Sequence, residues 1–125
     1  MIRFRLPQRM YAIGVALTSL LVTASASAQW TTLSASPQTR AQHATVTDLN
    51  GNVHVIAGFL SGSTQTAEHL VYNPLTNTWT TAAAYPRPLR GFFSATGPNG
   101  KLYVGGGADS SSLYPDFNAY DVATN

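Results

Sequence analysis

The sequence predicts an all-β fold made of two copies of one unit, and three observations predict it. Residues 50–59 read NGNVHVIAGF and residues 99–108 read NGKLYVGGGA, so a turn, an apolar strand and a glycine ending recur 49 positions apart. Charged residues make up only 10% of the chain, against about 25% in an average soluble domain. Thr, Ser, Asn, Gly and scattered aromatics take their place, a composition that suits short strands and tight turns.

The first 28 residues read as a secretory signal peptide. Arg3, Arg5 and Arg9 give a positive start, and Ala12 to Val22 (AIGVALTSLLV) is an apolar run. That run falls short of the roughly 20 residues a membrane span needs. Ser25-Ala26-Ser27-Ala28 then supplies small residues of the kind a signal peptidase cuts. Cleavage after Ala28 would deliver the mature chain to the periplasm or the outside of the cell, with no membrane attachment. Four basic residues (Arg40, Arg87, Arg90, Lys101) would then face five acidic ones (Asp48, Glu68, Asp109, Asp116, Asp121), a balance of −1. No basic footprint for nucleic acid remains. The sequence has no cysteine, which excludes disulfides, thiolate metal sites and thiol nucleophiles together.

The elements follow in order. Trp30 to Leu33 reads as an isolated strand belonging to a preceding or closing unit. Gln42 to Asp48 is a strand, and Asn50-Gly51 closes a hairpin of type I′. Asn52 to Gly58 is the second strand, with Val53 and Val55 pointing one way and His54 and Ile56 the other. A polar loop leads to a third strand, Ala67 to Asn73. The turn Asn73-Pro74-Leu75-Thr76-Asn77 suits a left-handed Asn77, and Thr78 to Ala82 is the fourth strand. The second unit repeats the first three with Phe92 to Thr96, Lys101 to Gly106 and Asp116 to Val122. Both faces of these strands are apolar, which implies that each sheet is stacked against neighbours.

Trp30 and Trp79 each open a Trp-Thr-Thr triplet 49 positions apart, and Val55 with Val104 and Gly58 with Gly107 keep the same distance. In the first unit Arg40, His43, Asn50-Gly51, Ala57-Gly58, Tyr72-Asn73-Pro74 and Trp79 stand in order. In the second, Arg90, Asn99-Gly100, Tyr103, Gly106-Gly107 and Tyr120-Asp121 do the same. This pattern resembles the kelch repeat, whose copies form the blades of a β-propeller. The resemblance implies a partial propeller: one complete four-stranded blade at about 40–82 and a second at about 90–125 without its last strand. It implies structural roles for Trp30, His43, Gly58, Tyr72, Trp79, Gly106, Gly107 and Tyr120. Ala57, His54 and Phe93 depart from the pattern, where the family has Gly, Tyr and His. Propellers close with about four or more blades, so two units would need company. Either further blades of a longer chain or other copies of this one would supply it, the latter through the Trp30 strand.

The chemistry is sparse. His43, His54 and His69 are 11 and 15 positions apart, and that spacing matches no metal motif. The carboxylates are dispersed, and no nucleophile elbow or phosphate loop is present, so no catalytic set, metal or cofactor is expected. Arg40 and Arg90 precede the first strand of each unit, which in the resembling family lines the channel mouth. They could hold a carboxylate or sugar acid bidentately, or tie inter-blade loops to backbone carbonyls. Arg87, between two prolines, reads as a solvated loop charge. The expected function is an exported binding module for protein or carbohydrate. The alternative that the resemblance implies is part of a propeller acting on sugars, such as a sialic-acid mutarotase.

Overall fold

A computed structural model describes residues 28–61 and 64–125. The proposed signal segment therefore lies outside the described residues, except for Ala28. Seven strands follow: β1 (Ala44–Thr47), β2 (Val53–Phe59), β3 (Gln65–Asn73), β4 (Thr78–Ala82), β5 (Arg90–Thr96), β6 (Leu102–Ala108) and β7 (Phe117–Tyr120). They form a four-stranded antiparallel sheet in the order β1-β2-β3-β4 and a three-stranded one in the order β5-β6-β7. The expected all-β fold, with four strands in the first sheet and three in the second, is what the described residues adopt.

The hairpins differ in detail from expectation. Gly51 is left-handed at φ 85°, but Asn50 is not, and Gly51 N–H donates to Asp48 O at 3.1 Å. This is a type I turn closed by a left-handed glycine rather than type I′, which needs two positive φ angles. The Asp48 side chain explains the choice. Its Oδ1 accepts from the backbone N–H of Asn50 (2.9 Å) and of Asn52 (2.8 Å), holding the turn in the right-handed region. Asn77 is left-handed, as expected, at φ 54°.

Residues 31–33 carry no strand, and Trp30 is fully exposed. The segment that follows instead clasps the first sheet. Ser34 N–H donates to Asn77 Oδ1 (2.8 Å), and Trp79 Nε1–H donates to Ser34 O (3.0 Å). The second unit repeats the clasp: Ala83 N–H donates to Asn125 Oδ1 at 2.9 Å. Tyr72 donates its hydroxyl to Asn77 Oδ1 and Tyr120 donates its own to Asn125 Oδ1, each at 2.7 Å.

Register decides which residues share a face. Ala44 pairs with Ile56 and Val46 with His54, while Ile56 pairs with His69. That face packs against Leu102, Val104 and Tyr120 of the second sheet, with Tyr85 and Leu89 from the connection closing the core. Each fully buried aliphatic side chain there contributes about 1.5–3 kcal/mol. The innermost strands meet edge to face. Ser94 Oγ donates to Thr45 O at 2.9 Å, and Thr96 Oγ1 donates to Thr47 O. Gly91 N–H reaches Gln42 O (2.7 Å) and Gly58 N–H reaches Leu89 O (2.8 Å).

Candidate functional site

The two arginines singled out by position have different environments. The Arg40 side chain is only 3% exposed. Its Nη1 donates to the carbonyls of Ala57 (3.1 Å) and Glu68 (3.2 Å), and its Nη2 pairs with the Glu68 carboxylate at 2.5 Å. Arg40 thus ties the entry segment to β2 and β3 through its two terminal nitrogens, while its Nε–H is buried without a partner. Arg90 opens β5 opposite Ala108, half-buried, with its guanidinium 5.8 Å from the centre of the Phe59 ring. Among the described residues no carboxylate pairs with it. It borders an open cleft of about 350 Å³ lined by Gln42, Gly91, Gly107, Ala108 and Leu113.

Of the residues given structural roles, Trp30 is fully exposed outside any strand, and the others lie in or beside the strands. Ala57 and Gly58 are left-handed at φ 55° and 104°, as are Gly106 and Gly107 at 72° and 110°. The β2–β3 ladder shifts register between Ile56 and Gly58, and that bulge bends the strand end toward the neighbouring sheet. His43 lies half-buried against Gly58, and Tyr72 packs on Trp79 with ring centres 5.1 Å apart. Burial lowers the affinity of His43 for a proton, and the Arg40 charge lowers it further. Arg87 lies in an exposed loop, as expected, and also pairs with Asp116 at 3.1 Å, with its guanidinium 4.6 Å from the Tyr114 ring centre.

Sequence spacing missed one constellation. His54 and His69, each 2% exposed, lie diagonally on β2 and β3 with His54 Nδ1 and His69 Nε2 2.8 Å apart. His54 Nε2 stands 3.3 Å from Asp48 Oδ2, and His69 Nδ1 stands 3.0 Å from the Ala83 carbonyl. Tyr120 covers both rings, edge-on to His69 with centres 4.8 Å apart.

The carbonyl fixes the tautomers. His69 must present Nδ1–H to Ala83 O, so its Nε2 accepts and His54 Nδ1–H donates. His54 Nε2 faces the Asp48 carboxylate, so the chain runs from Asp48 through His54 to His69 and the Ala83 carbonyl. Burial, against the opposing pull of the Ala83 carbonyl and with help from His54, pushes His69 down to about 4. Burial would raise Asp48, but the hydrogen bonds from Asn52, His54 and Asn50 outweigh it and hold the carboxyl below its usual range.

This arrangement is a buried structural chain. His69 borders a cleft of about 190 Å³ between the sheets, with Tyr85, Val104 and Tyr120, but both its ring nitrogens are engaged. Two nitrogens in direct hydrogen-bond contact leave no room for a metal between them, and no cluster of three ligands exists among the described residues.

The repeat itself carried the missing signal. Asp48, His54 and His69 correspond to Gly97, Tyr103 and Phe117, so three departures from the repeat converge on one face. A Cβ at Gly97 would come within 2.5 Å of the Tyr103 ring, which occupies the space that Asp48 fills in the first unit.

These groups set an acid dependence. His69 and His43 hold protons less tightly folded than unfolded, so the unfolded state takes up protons first below pH 6.5, and stability falls as pH falls toward 4. Asp48 binds its proton less tightly folded, so its contribution, present above the ordinary carboxyl range, is lost as pH drops through and below it. His69 alone contributes at most about 3 kcal/mol, roughly 10 °C in melting temperature. Thermal melts between pH 7.5 and 4 should show this decline. His54→Leu/His69→Met should remove the part due to His69 and leave the smaller parts due to His43 and Asp48.

No protein-family profile matches the chain. An F-box/kelch-repeat protein of Arabidopsis thaliana is 38% identical over 66 residues, which are 53% of this chain and 17% of that protein. The chain thus spans less than a fifth of that relative's length, and the likeness is one of kelch-like repeats.

Proposed function

We propose that the chain is a repeat-type binding module, exported from the cell, that takes a protein or carbohydrate ligand carrying a carboxylate. The observation that carries the reading is Arg90, a half-buried guanidinium unpaired by any carboxylate among the described residues and set beside Gln42 on an open cleft. A planar fork of donors in that position suits a carboxylate better than a point charge would. The kelch-like relative supports a repeat module, and the Arg-led apolar N-terminal run supports export. The second reading, a segment of a propeller that modifies acidic sugars, draws on the same guanidinium as the carboxylate holder.

Calorimetric titration with sialic acid, galacturonic acid and an acidic peptide tests the module. Arg90→Ala should weaken binding of the recognised anion at least tenfold, about 1.4 kcal/mol, without shifting the melting temperature. Equal binding by parent and variant would remove Arg90 from the site. Catalysed interconversion of sugar anomers, followed by NMR, would favour the second reading.

A further inference from the structure

The second sheet has one face covered and one bare. Phe93 pairs with Gly105 and Gly105 with Phe117, while Ala95 pairs with Tyr103, so these residues share the face opposite Leu102, Val104 and Tyr120. Phe93 is 62% and Phe117 65% exposed. Their rings stack with centres 5.9 Å apart, and Tyr103 continues the stack at 5.8 Å from Phe117. Gly105 makes this possible: a Cβ there would overlap both Phe rings. The rings lie down on β6 as a preformed apolar platform.

The molecule shows what covers such a face. Strand register puts Phe92, rather than the expected Phe93, at the His43 position, so Phe93, Tyr103 and Phe117 correspond to Ala44, His54 and His69 of the first unit; Ala44 is only 2% exposed because the second sheet lies on it. In that contact the covering sheet gives two hydroxyls, Ser94 and Thr96, to the carbonyls of Thr45 and Thr47. Thr45 and Thr47 are themselves the repeat counterparts of Ser94 and Thr96, and both are exposed. The donors needed to cover the second sheet's bare face therefore already exist on the first sheet.

Size points the same way. The bare face is bulkier than its counterpart, with Phe for Ala and Phe for His. The surface that would receive it carries a smaller side chain at one position. The cleft that His69 borders, lined by Tyr85 and Val104, has about 190 Å³. Its counterpart on the first sheet, lined by Ser36, Val55 and Trp79, is uncovered, and Ser36 stands where the second unit has the bulkier Tyr85.

We propose that the Phe93–Tyr103–Phe117 face of one copy docks on the Thr45–Val55 face of a second copy of this chain, head to tail. Phe117 enters the groove beside Ser36 and Val55, and the Thr45 and Thr47 hydroxyls donate to the carbonyls of Ser94 and Thr96. The contact is heterologous, so a dimer keeps one free face of each kind, one on each copy, and assembly passes beyond the dimer.

Two substitutions at exposed positions separate the faces. Phe93→Asp places a charge on the aromatic platform, and Thr45→Arg blocks the receiving face. In sedimentation velocity the parent chain should grow in mass with concentration. Each variant alone should remain a monomer with an unchanged circular dichroism spectrum. An equimolar mixture should form a dimer and nothing larger, because one interface of each kind survives. A parent that stays monomeric at every concentration, a mixture that stays monomeric, or a variant that assembles like the parent (as association through residues 1–27 would produce) overturns the proposal.

Discussion

Gly58→Ala should be among the most damaging single-methyl additions to this chain. The new Cβ would lie 2.9 Å from the Ala41 carbonyl oxygen and 2.8 Å from His43 Cβ, at a residue with φ 104°. Ala41 is backbone and cannot swing aside: its N–H and C=O are both bonded to Phe59 at 2.8 Å. Strain at such a φ costs about 1–3 kcal/mol, and overpacking adds about 1–3 kcal/mol more. Together they remove much of the roughly 5–15 kcal/mol that holds a domain folded. A urea titration should show the loss as a lower midpoint. Gly51→Ala is the control, with φ 85° but nothing within 4 Å of the new methyl. It should cost only the backbone strain, so the gap between the two variants measures the close approach of the Ala41–His43 segment to β2.

Asp48→Ala should also destabilise the chain, by stranding hydrogen-bond donors. Asp48 accepts from two backbone amides, the Asn52 side chain and His54. The amide of Asn50 sits in an exposed turn and can turn to water. His54 cannot, being buried under Tyr120. Leaving a buried hydrogen-bonding group without its partner costs about 1–3 kcal/mol, whereas replacing both partners by apolar groups of the same shape can be nearly neutral. His54→Leu/His69→Met, which leaves Asp48 with its Asn50 and Asn52 donors, should therefore be milder than Asp48→Ala alone. Chemical denaturation of the three proteins at pH 7 checks the order. If the double variant is the less stable, the histidine chain is a net source of stability rather than a cost tolerated by the first unit.

Both arguments rest on positions of different legibility. Gly58 was readable: a glycine recurring at 49 positions, at the end of an apolar strand, marks a bend and a close approach, and the structure supplies both. The turn at Asn50-Gly51 was readable as a turn but not by type. The Asp48 carboxylate that holds Asn50 right-handed sits in the preceding strand and acts through space. Arg40 and Arg90 were readable as a related pair, with two roles open for each. Glu68 took Arg40, and Glu68 lies 28 residues away on β3. The histidine chain was the largest omission. His54 and His69 meet because the bulge at Ile56–Gly58 sets the β2–β3 register, and a one-residue slip would turn one ring to the opposite face.

The sequence by itself determined the all-β class, the two units, the order of the strands and the glycines and aromatics that repeat between them. Those features are local: alternation, turn chemistry and a fixed period are written along the chain. Only the tertiary structure decided which arginine stays free, which histidines join Asp48 and which apolar face is left bare. Each of those depends on register between strands and on the stacking of one sheet on the next, where side chains distant in sequence compete for the same space and the same hydrogen bonds.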